Sequence, residues 1–215
     1  MASTVTPPSA RFWDRIAERY AKKPVPDEEV YQRKLEITRG YFRPDMRVFE
    51  FGCGTGSTAI AHAQHVRQIR AVDISSKMIA IARRKAEQAD VDNVIFECAE
   101  IDQLDIAPET YDVVMGHSIL HLLRDKERVL EKVHAMLKPG GVFVSSTACI
   151  GDHMRWFAFV APIGHFFRAI PYVQVFTQAE LVQCVVSAGF EIEQEWRPGK
   201  DRGVFIVARK VEVTG

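Results

Sequence analysis

The chain has 215 residues, 28 Lys plus Arg balanced by 28 Asp plus Glu, and is 47% hydrophobic and 26% charged. That size and mixture allow one domain with a substantial core and exclude a disordered chain or a collagen-like fibre. A formal charge of zero gives no electrostatic footprint for a phosphate backbone, so no nucleic-acid partner is expected.

Residues 1–10 are polar and proline-bearing with no apolar run after a basic start, which reads as a flexible arm and not a signal peptide. Everything from 11 to 215 is expected to form a single domain. Two polar helical stretches come first, at 11–22 and 27–39, parted by Pro24 and Pro26, with Asp27 as N-cap and Gly40 as stop. They are expected to pack over the ligand edge of a sheet.

From residue 46 onward, apolar runs of strand length (47–51, 69–73, 93–98, 111–117, 141–147) alternate with helical patterns at 55–65, 75–89 and 125–137. This alternation predicts an α/β fold: a sheet buried on both faces by helices. Lys138-Pro139-Gly140-Gly141 stops the third helix. An insertion at 151–176 then breaks the rhythm, before Thr177-x-x-Glu180 opens a further helix as a capping box. Two final strands face each other across Pro198-Gly199, which makes the last strand antiparallel in a seven-stranded, mostly parallel sheet.

Cys53, Cys98, Cys149 and Cys184 are too dispersed for a zinc site or a dense disulfide framework, and they read as reduced thiols of a cytoplasmic protein. No run reaches the roughly 18 apolar residues of a membrane span.

The first strand runs Val48-Phe49-Glu50-Phe51 into Gly52-Cys53-Gly54-Thr55-Gly56, and a helix follows. A strand-to-helix turn bare of side chains admits close ligand approach at the carboxyl edge of a sheet. Asp73, at the end of the second strand, is spaced to accept hydrogen bonds from a ribose diol. Two details choose the cofactor. The dinucleotide fingerprint needs glycine at 57, where this chain has Ser57, and Glu50 would repel a pyrophosphate but favour an ammonium. S-adenosylmethionine (SAM), with an α-ammonium, a sulfonium and no phosphate, fits better than NAD.

Glu50-Phe51-Gly52-Cys53-Gly54-Thr55-Gly56, Val72-Asp73-Ile74-Ser75, Tyr111-Asp112-Val113-Val114 and Leu137-Lys138-Pro139-Gly140-Gly141 together resemble the ordered motifs of class I SAM-dependent methyltransferases. The likeness is greatest to the broad group containing ubiquinone- and menaquinone-biosynthesis enzymes, whose first helix often reads like Phe12-Trp13-Asp14-x-x-Ala17-x-x-Tyr20. The resemblance implies a Rossmann-like class I methyltransferase fold with a small aromatic-rich cap, and release of S-adenosyl-L-homocysteine as product. It implies that Glu50, Gly52, Cys53, Gly54 and Gly56 surround the methionine moiety, with Tyr20 also at the cofactor. Asp73 would take the ribose hydroxyls, and Ile74 and Met78 would sandwich the adenine. Glu100 stands where the family usually has an Asp meeting the adenine amino group, and Ile101 would supply the adjacent amide.

Methyl transfer from a sulfonium is an in-line displacement, so the protein mainly aligns donor and acceptor and excludes water, with a base needed for some acceptors. His117 and His121, at and after the end of the fourth strand, are the candidate catalytic residues, and His117 also a cofactor contact. Their spacing lacks a nearby carboxylate or cysteine, so no metal is expected. His62 and His65 read as solvated surface residues. The insertion at 151–176 carries seven of the chain's 21 aromatics, which reads as a lid over an apolar acceptor. Trp156 and Phe159 would line it, while His153, Arg155, His165 and Arg168 would orient a polar or acidic end. The same aromatics could instead serve as core, as a homodimer interface in place of a monomer, or as a peripheral membrane contact.

The leading expectation is therefore an enzyme transferring a methyl group to the O, N, S or C atom of a small, largely apolar acceptor. The alternatives are a protein- or lipid-directed methyltransferase, a non-catalytic SAM-binding scaffold, and a NAD(P)-linked oxidoreductase.

Overall fold

The structure, a computed structural model, describes residues 8–154, 156, 171–199 and 202–211. Helix α1 (Pro8–Ala21) begins earlier than the sequence pattern suggests, because Ala10 and Ala17 are fully buried and anchor its first turns. Helix α2 (Glu28–Arg39) starts where Asp27 accepts the Val30 amide at 3.2 Å.

Strand β1 (Arg47–Phe51) is followed by α3 (Ser57–His62), β2 (Gln68–Asp73), α4 (Ser76–Gln88), β3 (Val94–Cys98), β4 (Tyr111–His117) and α5 (Lys126–Met136). Ser75 caps α4 and Asp125 caps α5, each accepting the amide three residues on. Strand β5 (Leu137–Thr147) starts at Leu137, four residues before the expected strand. Leu137 pairs with Tyr111, and the register shifts before Val142 pairs with Val113, so the Pro-Gly-Gly stretch is an irregularity within the strand.

Helix α6 (Gln178–Ser187) opens with the reciprocal Thr177/Glu180 capping box, and β6 (Phe190–Trp196) and β7 (Val204–Lys210) form the terminal hairpin. Helix α3 is shorter than expected, giving way to a 3₁₀ turn at Ala63–His65.

The seven strands lie in the order β3-β2-β1-β4-β5-β7-β6, with β7 antiparallel to both neighbours. The chain leaves β1 outward toward β3 and returns to β4 on the other side, so β1 and β4 flank the switch point where open α/β sheets bind ligands. Both faces are core. Phe49, Phe51, Val114 and Phe143 pack on one, and Val48, Ile69, Val113 and Met115 on the other. Among the described residues no helix is long and apolar enough to cross a membrane.

Candidate active site

Period-two alternation puts Glu50 on the same face of β1 as Val48, so a carboxyl occupies a position otherwise built for a hydrocarbon. Glu50 is 2% exposed and its Oε2 atom has no hydrogen-bond partner. Burial, and then the charge of Asp73, push its carboxyl up to about 8, against a downward pull from the Ala59 backbone. A cation placed beside it would recover that cost.

The turn after β1 is tied to the end of β2 through one side chain. Asp73 accepts the Gly54 amide on Oδ2 and the Ser75 amide on Oδ1, both at 2.9 Å. Burial raises this carboxyl and the two amides lower it. The glycines differ in purpose. At Gly54 (φ +54°) a Cβ would meet nothing within 4 Å, so the turn presents bare backbone to open space. At Gly56 (φ +75°) a Cβ would lie 2.7 Å from the Phe96 ring and 2.8 Å from the Ala82 methyl. Gly56, expected beside the methionine moiety, lines neither of the clefts described next, and what the geometry shows there is close packing of turn on helix and strand.

Two clefts meet along this turn. The first, about 1120 Å³ counted to its open mouth, is bordered by Asp73, Ile74, Met78, Glu100, Ile101 and Trp13. The second, about 1840 Å³, is bordered by Glu50, Cys53, Tyr31, Lys34, Thr58 and Ser146. Tyr20, Gly52, Gly54, His117 and Ser118 border both. Helix α1 is held over the junction by Asp14, which accepts the Ser75 hydroxyl at 2.6 Å and the Lys77 amide at 3.1 Å. Trp13 and Tyr20 meet edge to face with centroids 6.2 Å apart. The cofactor residues expected from sequence, Gly56 excepted, thus border one or both of these adjoining clefts.

The histidines separate. His117 borders both clefts, and burial together with the Lys34 charge lowers it to about 4, so its imidazole is neutral at physiological pH. His121 borders neither cleft. It sits in the 3₁₀ turn Leu120–Leu122, its carbonyl accepts the Gln174 amide at 2.7 Å, its Nδ1 is buried without a partner, and burial lowers it to about 4. Through that carbonyl it holds the segment that returns at Gln174. His62, expected on the surface, is fully buried with its ring edge-on to Phe42, and burial lowers it to about 3. The short α3 turns that face inward onto Phe42, which helical spacing alone does not reveal. The Nε2 of His65 is likewise buried.

Of the expected acceptor residues, His153 and Trp156 are exposed, Trp156 at 60%, and border neither cleft. Arg155, Phe159 and His165 lie outside the described residues. Tyr172 reaches the rim of the first cleft, with the Arg124 guanidinium 5.3 Å from its ring centroid. Phe176 is core, 4% exposed. Among the described residues no cluster of His, Cys, Asp and Glu could hold a metal. Sequence reasoning missed Tyr31, Lys34 and Ser146: the first two lie on a polar helix expected only to pack over the ligand edge, and nothing local marks which of its side chains enter the site.

A profile described as a methyltransferase domain matches residues 42–190. The chain belongs to that family. A ubiquinone biosynthesis O-methyltransferase of Coxiella burnetii (strain RSA 331 / Henzerling II) is 27% identical over 151 residues, covering 67% of this chain and 63% of that protein. The chain therefore matches somewhat less than two thirds of that relative's length. Among solved structures, the S-adenosylmethionine-dependent methyltransferase from Mesorhizobium loti superposes with a TM-score of 0.65 at 21% identity, over 77% of this chain and 91% of that one. The [4+2]-cyclase SpnF superposes with a TM-score of 0.73 at 15% identity, over 94% of each chain. Likeness at that identity establishes the shared fold alone.

Proposed function

We propose that the protein is a SAM-dependent methyltransferase acting on a small, largely apolar acceptor through an O, N, S or C nucleophile. The observation that carries this reading is the placement of two carboxyls, Glu50 and Asp73, on either side of one bare glycine turn at the sheet's switch point. The unpartnered Glu50 Oε2 suits an ammonium, and the open space at Gly54 suits a ligand laid against backbone. Asp73 retains acceptor capacity for a ribose diol, with Ile74 and Met78 beside it to flank a purine.

Bound in this groove, SAM would supply an activated methyl group and leave as S-adenosyl-L-homocysteine. The protein's own part is alignment and proton management. Trp13 and Tyr20 on α1 cover the junction and restrict water. Ser118 is held in a left-handed conformation (φ +54°) with its amide donating to the Ser146 carbonyl at 2.6 Å, which fixes the end of β4 and therefore His117. A neutral His117 can accept the proton of a hydroxyl or thiol acceptor. The apolar lining that Val25, Val30 and Leu35 give the second cleft, beside Tyr31, supports an acceptor with an apolar body.

Calorimetric titration with S-adenosylhomocysteine, followed by a coupled assay for its release from SAM across phenols, thiols, amines, quinone precursors and lipids, tests the reading. Binding with turnover on an apolar acceptor supports it. Binding without turnover on any class favours a scaffold, and thermal stabilisation by NAD alone overturns it.

A further inference from the structure

We propose that the second cleft receives an acceptor bearing a carboxylate, whose charge is met by the Lys34 ammonium beside Ser146 at the carboxyl end of β5. This rests on the methyl-transfer reading, because it assigns the second cleft to the acceptor.

Lys34 projects from α2 and donates to Ser146 Oγ at 2.7 Å, a contact spanning 112 residues of sequence. Ser146 is 6% exposed and Lys34 is itself half-buried, so the ammonium lies inside the cleft wall and does not trail in solvent. An ammonium has three protons, and one hydroxyl satisfies one of them. Among the described residues Lys34 makes no ion pair, and a half-buried cation without a counter-charge is costly. Burial and the Arg202 charge lower its pKa, and the Asp27 charge opposes them.

Of the other charged residues bordering the cleft, Asp27, Arg202 and Lys85 have partners of their own, and Lys23 at its edge is exposed. Asp27 accepts the Val30 amide and lies 3.6 Å from the Arg202 guanidinium. Lys85 donates to the Thr55 and Ser57 hydroxyls. Glu50 is the group that meets the cofactor's ammonium in the reading above. SAM carries an ammonium and a sulfonium against a single carboxylate, so the loaded groove still gains positive charge, and Lys34, bonded to Ser146 at the end of β5, is assigned to the acceptor and not to the cofactor's carboxylate. An anionic acceptor is the complement.

The position also suits the chemistry. Ser146 accepts the Ser118 amide through its carbonyl, and Ser118 follows His117 at the junction of the two clefts. A carboxylate seated at Lys34 is thus held next to the His117 imidazole, which among the described histidines borders both clefts, and this orients the rest of the acceptor toward the transferable methyl. The carboxylate would be bound through charge and hydrogen bonding, with the apolar body of the molecule left to the surrounding walls.

The test uses the full chain saturated with S-adenosylhomocysteine. Benzoate, phenylacetate and 4-hydroxybenzoate are titrated calorimetrically, each against its primary amide, which keeps the shape and removes the charge. The expected result is that the acids bind about tenfold or more tightly than the amides, in keeping with a charged hydrogen bond in a partly desolvated site. Lys34→Met, close in volume, should shrink that preference to about twofold while S-adenosylhomocysteine affinity stays unchanged, and Lys34→Arg should restore part of it. Equal binding of acids and amides by the wild type overturns the proposal, as does a preference that survives in Lys34→Met, and so does a loss of S-adenosylhomocysteine affinity in Lys34→Met, which assigns the lysine to the cofactor's own carboxylate. Failure of S-adenosylhomocysteine to bind the wild type is a distinct result: it removes the cofactor reading first, and this proposal with it.

Discussion

The two clefts are neighbours along one sheet edge, yet they are built by different means. The first is made by short-range geometry: the turn after β1, the end of β2 and the cap of α4 lie within 27 residues of one another and are tied through Asp73 and Ser75. The second is made by side chains that travel far, with Lys34 of α2 meeting Ser146 of β5 and Tyr31 of the same helix facing Glu50 and Thr58 of the glycine-turn region. Backbone donors and one carboxylate can hold a common ligand portion in a fixed way, whereas long side chains on a separate helix can be exchanged to suit a different molecule without disturbing the turn. The comparison assigns constancy to one cleft and selectivity to the other.

The sharpest way to break that division is within the glycine turn. Gly56→Val should cost about 3 kcal/mol or more of stability, because its Cβ enters the Phe96 ring and Ala82 at a positive φ. Gly54→Val meets open space and should cost only the left-handed strain of about 1 to 2 kcal/mol, yet abolish S-adenosylhomocysteine binding. Thermal melts paired with calorimetry separate the two, and a folded, fully binding Gly54→Val would show that no ligand lies against this backbone.

At the junction, His117→Ala should lower turnover of a hydroxyl acceptor by about 100-fold or more while changing S-adenosylhomocysteine affinity by about threefold at most. Because His117 lies at about 4, the acid limb of the rate profile should fall near that value and well below the ordinary histidine range. Equal losses in turnover and affinity would assign His117 to the cofactor side.

His62 supplies a stability test outside both clefts. Its folded value of about 3 lies below its ordinary 6.5, so below about pH 6.5 the unfolded chain takes up a proton that the fold refuses. Stability should drop as pH falls through that window, by up to about 3 kcal/mol near pH 4 from this residue. Denaturant titrations of wild type and His62→Gln at pH 7 and pH 5 should show a shallower loss in the variant, and parallel losses would mean that the imidazole titrates normally.

The smallest effect concerns Glu50. With its carboxyl raised to about 8, ammonium binding below that pH must expel a proton, so S-adenosylhomocysteine affinity should rise from about pH 6 to 8. Glu50→Gln should weaken binding about tenfold at pH 8 and flatten the slope. A slope unchanged in the variant would place the proton release elsewhere.

The alternation of strands and helices, the hairpin across Pro198-Gly199, and the Thr177/Glu180 box were legible because each depends on residues a few positions apart. The antiparallel β7 followed from that hairpin, whereas its insertion between β5 and β6 did not, since strand order is a matter of which surfaces pack. The three glycines were legible as a turn, but their different duties were not: Gly56 is required by Phe96 and Ala82, which approach from β3 and α4. Likewise His62 and His65 read as surface residues because spacing gives a face of a helix and says nothing about what covers it.

The sequence by itself therefore determined the α/β order, the bare turn after β1, and the two carboxyls at its ends, all consequences of period, turn chemistry and neighbouring residues. Only the tertiary structure decided that His117 borders both clefts while His121 borders neither, and that Lys34 reaches Ser146. Those outcomes depend on how α1, α2 and the strand ends pack, and packing joins residues by distance in space, for which distance along the chain holds no record.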